Sequence, residues 1–243
     1  MVKIQNPSFE ILRIDTEALA LIECAGRTCY KSEEKIAPGS AKKFTEMILG
    51  RGHESVIEHA SATVRFVHNR GFTHELVRHR IASFSQESTR FCNYATGKFG
   101  GQITVIAPYW TDFFDEFSGI PKGDGDVDIE TKFRNRETVE DLLIPEWFWW
   151  RTICSIEDTY VRMTKTTEGH SPLKHLLPPE AARGILPNDL KTEIVMTANL
   201  REWRHIFRLR TSDAAHPDMI RVMKPLLEEF RKRVPVIFDN IGA

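Results

Sequence analysis

Apolar and polar positions along this chain follow two periods, and the changes of period mark its elements. Residues 8–14, SFEILRI, read as extended. Residues 16–30, TEALALIECAGRTCY, space their apolar side chains three and four apart, as one helix face requires, with Thr16 opening the element. Ser40 stands where it would cap a second helix running to about Gly50. Residues 60–68, ASATVRFVH, alternate with period two, as a half-buried strand does. Asn69 to Gly71 is expected to break that strand, and 72–80, FTHELVRHR, reads as a helix. Beyond it, 100–110 holds a short strand, and EWFWW at 146–150 opens a long helix to about Thr167. PPEAARGILP at 178–187 is a short element fenced by prolines, and KTEIVMTAN at 191–199 alternates as a strand. LREWRHIFRLR at 200–210 is a helix, and 217–234 is another, which Pro225 interrupts.

Strands and helices are interspersed without regular βαβ units, which predicts an α+β fold. There is no internal repeat and no low-complexity tail. Residues 100–150 read as an insertion or elaboration: SGIPKGDGDVD at 118–128 is turn-rich and exposed. The four aromatics of 147–150 read as packing surface.

Composition adds limits. A chain of 243 residues, 41% hydrophobic, can bury a real core, as one large domain or two small ones. The net charge of −1 makes any basic patch local, which argues against a surface-wide trap for nucleic acid. The four cysteines, Cys24, Cys29, Cys92 and Cys154, form no CxxC pair and no zinc-ribbon spacing; reduced cytosolic thiols are expected. MVKIQNPSFEIL lacks a signal-peptide core, and no run approaches the roughly 18 apolar residues of a spanning helix. A soluble, cytoplasmic protein without a membrane partner is expected.

Candidate chemistry concentrates in RHRIASFSQESTR, 78–90. Arg78 and Arg80 point apart if the segment is helical and share a face if it is extended. Guanidinium forks beside Ser83, Ser85, Ser88 and Thr89 suit an anion, and Gln86 can read a donor–acceptor edge. A solvated basic patch is the alternative; the lack of lysine favours the anion site. On the helix 199–210, Arg201, Arg204, His205 and Arg208 form one cationic stripe, with Arg204 and Arg208 read as solvated. Leu200, Trp203, Ile206 and Phe207 form the opposite face. Arg210 projects from that apolar side, so an internal carboxylate or a ligand holds it, unless it turns back to water at the helix end. Metal sites fail on spacing: His53 and His59 are six apart, His74 and His79 five, so neither pair repeats the HExxH face. No phosphate loop, GxGxxG or GxSxG stands in the chain, and no cysteine is placed as a nucleophile.

Arg78-His79-Arg80, seven residues, then Ser88 with Arg90 behind it, resembles the signature of the flavin-dependent thymidylate synthases. GHESVIEHA at 52–60, HELVRHR at 74–80, EAARGILP at 180–187 and NLREWRHIFRLR at 199–210 resemble further segments of that family, in order. The resemblance covers roughly 9–95 and 155–235. It implies one domain over 1–243, with an insertion at about 100–150. It implies an antiparallel sheet flanked by helices, assembling as a homotetramer whose active sites are shared between subunits. It implies methylation of dUMP, with methylenetetrahydrofolate giving the carbon and NADPH-reduced FAD giving the hydride. Nucleic-acid binding by the same arginines, or a flavoprotein without methylation, are the other readings; the first expects steep salt dependence and no chromophore.

Carried over by position, Ser55, Arg78, His79, Arg80, Gln86, Asn199, Arg201 and His205 resemble FAD contacts. Glu75, Arg78, Gln86, Glu87, Ser88, Thr89, Arg90 and Arg183 resemble dUMP contacts, with Ser88 near the pyrimidine. His53 resembles a residue near folate and flavin, and Arg210 the arginine that polarises the pyrimidine. No metal is implied.

Overall fold

The computed structural model describes residues 2–111, 145–165 and 175–242. The 118–128 turns and the interior of the expected insertion lie outside them. The described residues form two compact units, each woven from separate segments.

The first unit comprises Met1–Pro7, His68–Gly71 and Gln86–Glu193. Strand β1 (Lys3–Gln5) pairs in parallel with the strand Thr104–Ile106. Its core gathers Val2, Ile4, Ile103, Val105, Ile153, Tyr160 and Leu190. The long helix expected from EWFWW is Pro145–Thr164. Of its aromatics, Trp150 is buried, and Trp149 packs against the same core while its indole N–H donates to Asp189 at 2.8 Å. Phe148 stays half exposed.

The second unit comprises Ser8–Val67, Phe72–Ser85 and Ile194–Ala243. Its elements are β2 (Ser8–Ile14), α1 (Ala18–Thr28), α2 (Ser40–Gly50), a 3-10 turn (Glu54–His59), β3 (Ser61–Asn69), α3 (Arg70–Leu76) and β4 (Ala82–Gln86), whose ends overlap the first unit in places. After β5 (Thr104–Ile106), α4 (Pro145–Thr164) and α5 (Pro179–Ala182) come β6 (Lys191–Asn199), α6 (Leu200–Arg210) and α7 (Pro217–Arg233). The four-stranded sheet runs β2-β3-β6-β4, with β2 antiparallel to β3. Period two holds: Ala62, Val64 and Phe66 of β3, and Ile194, Met196 and Ala198 of β6, are buried in turn. On the other face the Thr63 and Thr197 hydroxyls meet at 2.9 Å. Trp203, Phe207, Phe230 and Phe238 close the core as a ring cluster with centroids 5.1–5.7 Å apart.

Three local expectations are corrected. Ser40 is the first residue of α2, not its cap; Gly39, at φ +80°, precedes it, and the Ser40 hydroxyl reaches Glu23 Oε2 at 2.7 Å instead. The strand ends at Asn69 as expected, but α3 starts directly at Arg70 and ends at Leu76, so the helix expected over 72–80 does not run through RHR. Pro225 does not interrupt α7, which is continuous. A mid-helix proline costs about 3 kcal/mol. Here Pro225 lies on the exposed side, while Val222, Met223, Leu226, Leu227 and Phe230 bury the other face on both sides of it. Among the described residues no helix is long and apolar enough to cross a membrane.

Gly26 of α1 touches α2: a Cβ there would meet Phe44 Cζ at 2.5 Å. Overpacking costs about 1–3 kcal/mol, against roughly 1 kcal/mol gained by replacing a helical glycine. Gly26→Ala is therefore expected to lower the melting temperature, and adding Phe44→Leu to restore part of it. A melting temperature that rises in the single variant would show the ring swings aside freely.

Candidate active site

In the second unit the site is built on both ends of α6. Asn199 caps its start, its side-chain oxygen accepting from the Glu202 N–H at 2.8 Å. At its end Arg210 is largely buried, as its place on the apolar side predicts, and a partly exposed carboxylate of the same chain holds it. Its Nη1 donates to Glu75 Oε2 at 2.6 Å, its Nη2 to the Glu75 carbonyl at 3.2 Å and its Nε to His79 Nε2 at 3.1 Å. His79 therefore carries its proton on Nδ1, which faces Glu202 Oε1 at 3.4 Å. Burial, then the charges of Arg210 and His205, hold the His79 imidazole down to about 4. Burial pushes the Glu202 carboxyl up, partly offset by His205.

RHR is neither helix nor strand but the turn from α3 into β4. The N–H of Arg78 bonds to the Glu75 carbonyl and that of His79 to the Leu76 carbonyl. The middle residue points in and the outer two point out: His79 is buried, Arg78 and Arg80 are exposed. Among the described residues neither arginine has an ion-pair partner.

The cationic stripe of α6 is partly corrected. Arg201 is half exposed and donates to Glu58 Oε1 at 2.5 Å, and Arg208 is half exposed as expected, with Glu54 Oε1 at 3.1 Å. Arg204, read as solvated, is 1% exposed. Its Nε and Nη2 donate to Glu54 Oε1 at 3.3 and 3.0 Å. Burial would raise the Glu54 carboxyl, but hydrogen bonds and charges from Arg208 and Arg204 outweigh it and hold it below the usual range. Glu54, Glu58, Ile81, Asn199, Arg201, Glu202, His205 and Arg208 line a recess of about 490 Å³. A second cavity, of about 730 Å³, lies against α1 and α2; its wall includes Arg27, Lys43, Phe44, Arg51, His53 and Ser55. Gly52, at φ +71°, makes the sharp turn that brings His53 there.

His79, Glu202 and His205 place one ligand atom each within 4.8 Å of one another, a cluster the spacing test did not find. A cation taking His79 Nδ1, the nitrogen that faces Glu202, would drive the ring proton onto Nε2 against the Arg210 N–H donor, so the set suits a polar ligand better than a metal.

In the first unit, Gln86 Nε2 donates to Thr192 Oγ1 at 3.4 Å. Glu87 accepts from the Tyr94 hydroxyl at 2.9 Å and from Lys191 Nζ at 3.1 Å, so its carboxylate is committed inside the fold. Ser88 Oγ accepts from the Arg90 N–H at 3.3 Å, and Thr89 is buried. Arg90 pairs with Glu180 Oε2 at 3.3 Å, which joins the 86–90 turn to the element carrying Arg183, itself exposed. None of the four cysteines is in a disulfide, and burial, then the Glu87 charge, pushes the Cys92 thiol up, away from nucleophilic use. Glu54, Glu58, Glu202 and Lys191 were not among the residues singled out by sequence. Only the position of Glu54 and Glu58 inside GHESVIEHA pointed to them.

The family model described as thymidylate synthase complementing protein matches residues 10–236. A flavin-dependent thymidylate synthase of Corynebacterium aurimucosum is 30% identical over 240 residues, spanning 97% of this chain and 85% of that protein. One from Corynebacterium efficiens is 32% identical over 227 residues, spanning 92% and 79%. Among solved structures, thymidylate synthase X from Helicobacter pylori with FAD and dUMP has TM-score 0.66 at 20% identity, over 97% of this chain and 98% of that one. The UMP/dUMP methylase PolB from Streptomyces cacaoi, bound with 5-Br dUMP, has TM-score 0.68 at 20% identity, over 98% and 95%. Both share the mixed α/β fold seen here.

His79 makes acid sensitivity measurable. Its ordinary value is 6.5 and its folded value about 4, so between them the unfolded chain binds the extra proton. This contribution to stability is complete above pH 6.5 and is lost as pH falls toward 4. Thermal denaturation over that range should show His79→Gln losing stability less steeply than the parent. Identical slopes would mean that the folded protein protonates His79 freely.

Proposed function

This chain belongs to the flavin-dependent thymidylate synthase family, and on that footing we propose that it methylates dUMP to dTMP. Methylenetetrahydrofolate supplies the carbon in this reading. FAD, reduced by NADPH, supplies the hydride. The observation that carries the reading is the largely buried Arg210 guanidinium, held by Glu75 and His79 at the end of α6.

Uracil C5 is a weak nucleophile until electron density is pushed into the ring. A guanidinium sheltered from water and aimed at the N3–O4 edge favours the ionised pyrimidine. Glu75 and His79 fix the plane of that guanidinium. No thiol is needed, in keeping with the raised Cys92. Arg90, Arg183, Arg78 and the 86–89 turn hold the nucleotide, with Ser88 beside the pyrimidine. Glu87 acts there by shaping the turn, since Tyr94 and Lys191 occupy its oxygens.

The residues fit a flavin dinucleotide. Exposed Arg78 and Arg80, without an anionic partner among the described residues, suit a pyrophosphate. Asn199, Arg201 and His205 give the 490 Å³ recess a polar wall for the cofactor. Ser55 contributes from the neighbouring turn, and His53 stands toward the folate. Exposed arginines that find no acid among the described residues also favour active sites completed by other subunits, in a homotetramer of single-domain chains.

After incubation with FAD and removal of the unbound cofactor, the protein should retain absorption bands near roughly 370 and 450 nm, and dUMP should perturb them. Arg210→Ala should lower dUMP-dependent methylation by about a hundredfold or more and leave the flavin bands. A protein that stays colourless with FAD would overturn the proposal, and unchanged turnover in Arg210→Ala would remove that residue from the chemistry.

A further inference from the structure

Arg204 bonds at once to two segments that lie far apart in the chain, the turn carrying Glu54 and the Ile237–Asn240 segment. On one side its Nε and Nη2 donate to Glu54 Oε1. On the other, Nη1 donates to Asn240 Oδ1 at 3.0 Å and to the Ile237 carbonyl. The guanidinium is 1% exposed, so water cannot replace any of these partners. Glu54 sits between His53 and Ser55. Its own side chain lines the 490 Å³ recess, while its two neighbours line the 730 Å³ cavity. Three consecutive residues thus form walls of both spaces, and the middle one is gripped by a buried arginine tied to the chain end.

We propose that Arg204 is a positioning residue: through Glu54 it sets the His53–Ser55 turn, and it couples the Ile237–Asn240 segment to the affinity of the site for flavin. This rests on the functional reading above insofar as the flavin is the ligand. Arg204 itself touches no substrate in that reading. The grip depends on the shape of the guanidinium as well as its charge. A lysine ammonium is a single point of donation, and it cannot serve Glu54 and the Ile237–Asn240 segment together. Asn240 reports on the far side alone, because removing its amide leaves the Glu54 contacts in place.

The test uses the full chain and FAD itself. FAD dissociation constants are measured by absorbance for the parent, Arg204→Lys and Asn240→Ala, together with melting temperatures without FAD and kcat at saturating FAD. Met223→Val is the stability control, since Met223 is buried in α7 and lines neither space. Arg204→Lys is expected to weaken FAD at least tenfold and Asn240→Ala two- to fivefold, with kcat at saturation within about twofold in both. Met223→Val should lower the melting temperature and leave FAD affinity unchanged. Arg204→Lys binding FAD as the parent does would overturn the proposal, whatever happens to its melting temperature. Should Arg204→Lys not fold, Asn240→Ala decides: unchanged affinity overturns the coupling and weakened affinity supports it. Should the parent itself take no FAD, the functional reading falls. The positioning claim is then judged by hydrogen exchange of the 52–59 amides in Asn240→Ala and Arg204→Lys, where faster exchange supports it and parental rates overturn it.

Discussion

Helix α6 is turned by what it buries. Leu200, Trp203, Ile206 and Phe207 are fully enclosed, and the Trp203 indole N–H donates to the Ala62 carbonyl of β3 at 3.1 Å. Each such side chain is worth about 1.5–3 kcal/mol on burial, so rolling the helix by one position would forfeit several at once. With the roll set, about 100° per residue places every other side chain. Arg201, His205 and Arg208 emerge toward solvent, Arg204 meets Glu54 and the chain end, and Arg210 comes round to Glu75 and His79. The polar geometry of the site is thus a by-product of an apolar fit.

The two enclosed cations of α6 are met by acids from elsewhere in the chain. Glu54 comes from the turn after α2, and Glu75 from α3. Desolvating a guanidinium costs several kcal/mol unless its donors are matched, so each pair holds distant segments to one helix. Neither contact ranks with the core in stabilising energy. Their weight lies in direction, since a planar fork accepts few orientations of its partner.

This division explains what could be read from residues alone. β3 and β6 were legible because each buries one face, and period two survives intact in Thr192, Ile194, Met196 and Ala198. The phase of α6 was legible for the same reason, and with it the inward course of Arg210. Its acid partner was foreseen as a type, though not as Glu75. Arg204 was misread because periodicity supplies an angle and not a neighbour: nothing near it in sequence announces Glu54 or Asn240. Pro225 was misread because propensity was weighed without the buried face that carries α7 past it. The out–in–out turn of RHR was hidden too. A turn closed by backbone bonds to Glu75 and Leu76 leaves no hydrophobic period behind.

Thr63 and Thr197 touch across 134 residues of chain. That contact has a kinetic meaning. β3 emerges early in synthesis, yet its partner β6 follows more than a hundred residues later, and closing so wide a loop precedes any reward from pairing. Until then the face of β3 that carries Ala62, Val64 and Phe66 lacks the later side chains that pack on it, Trp203 of α6 among them, and such a surface invites association with other nascent chains. The hydroxyl pair thus belongs to a part of the sheet that cannot close until β6 has been made, which places a long-range step at the centre of the fold.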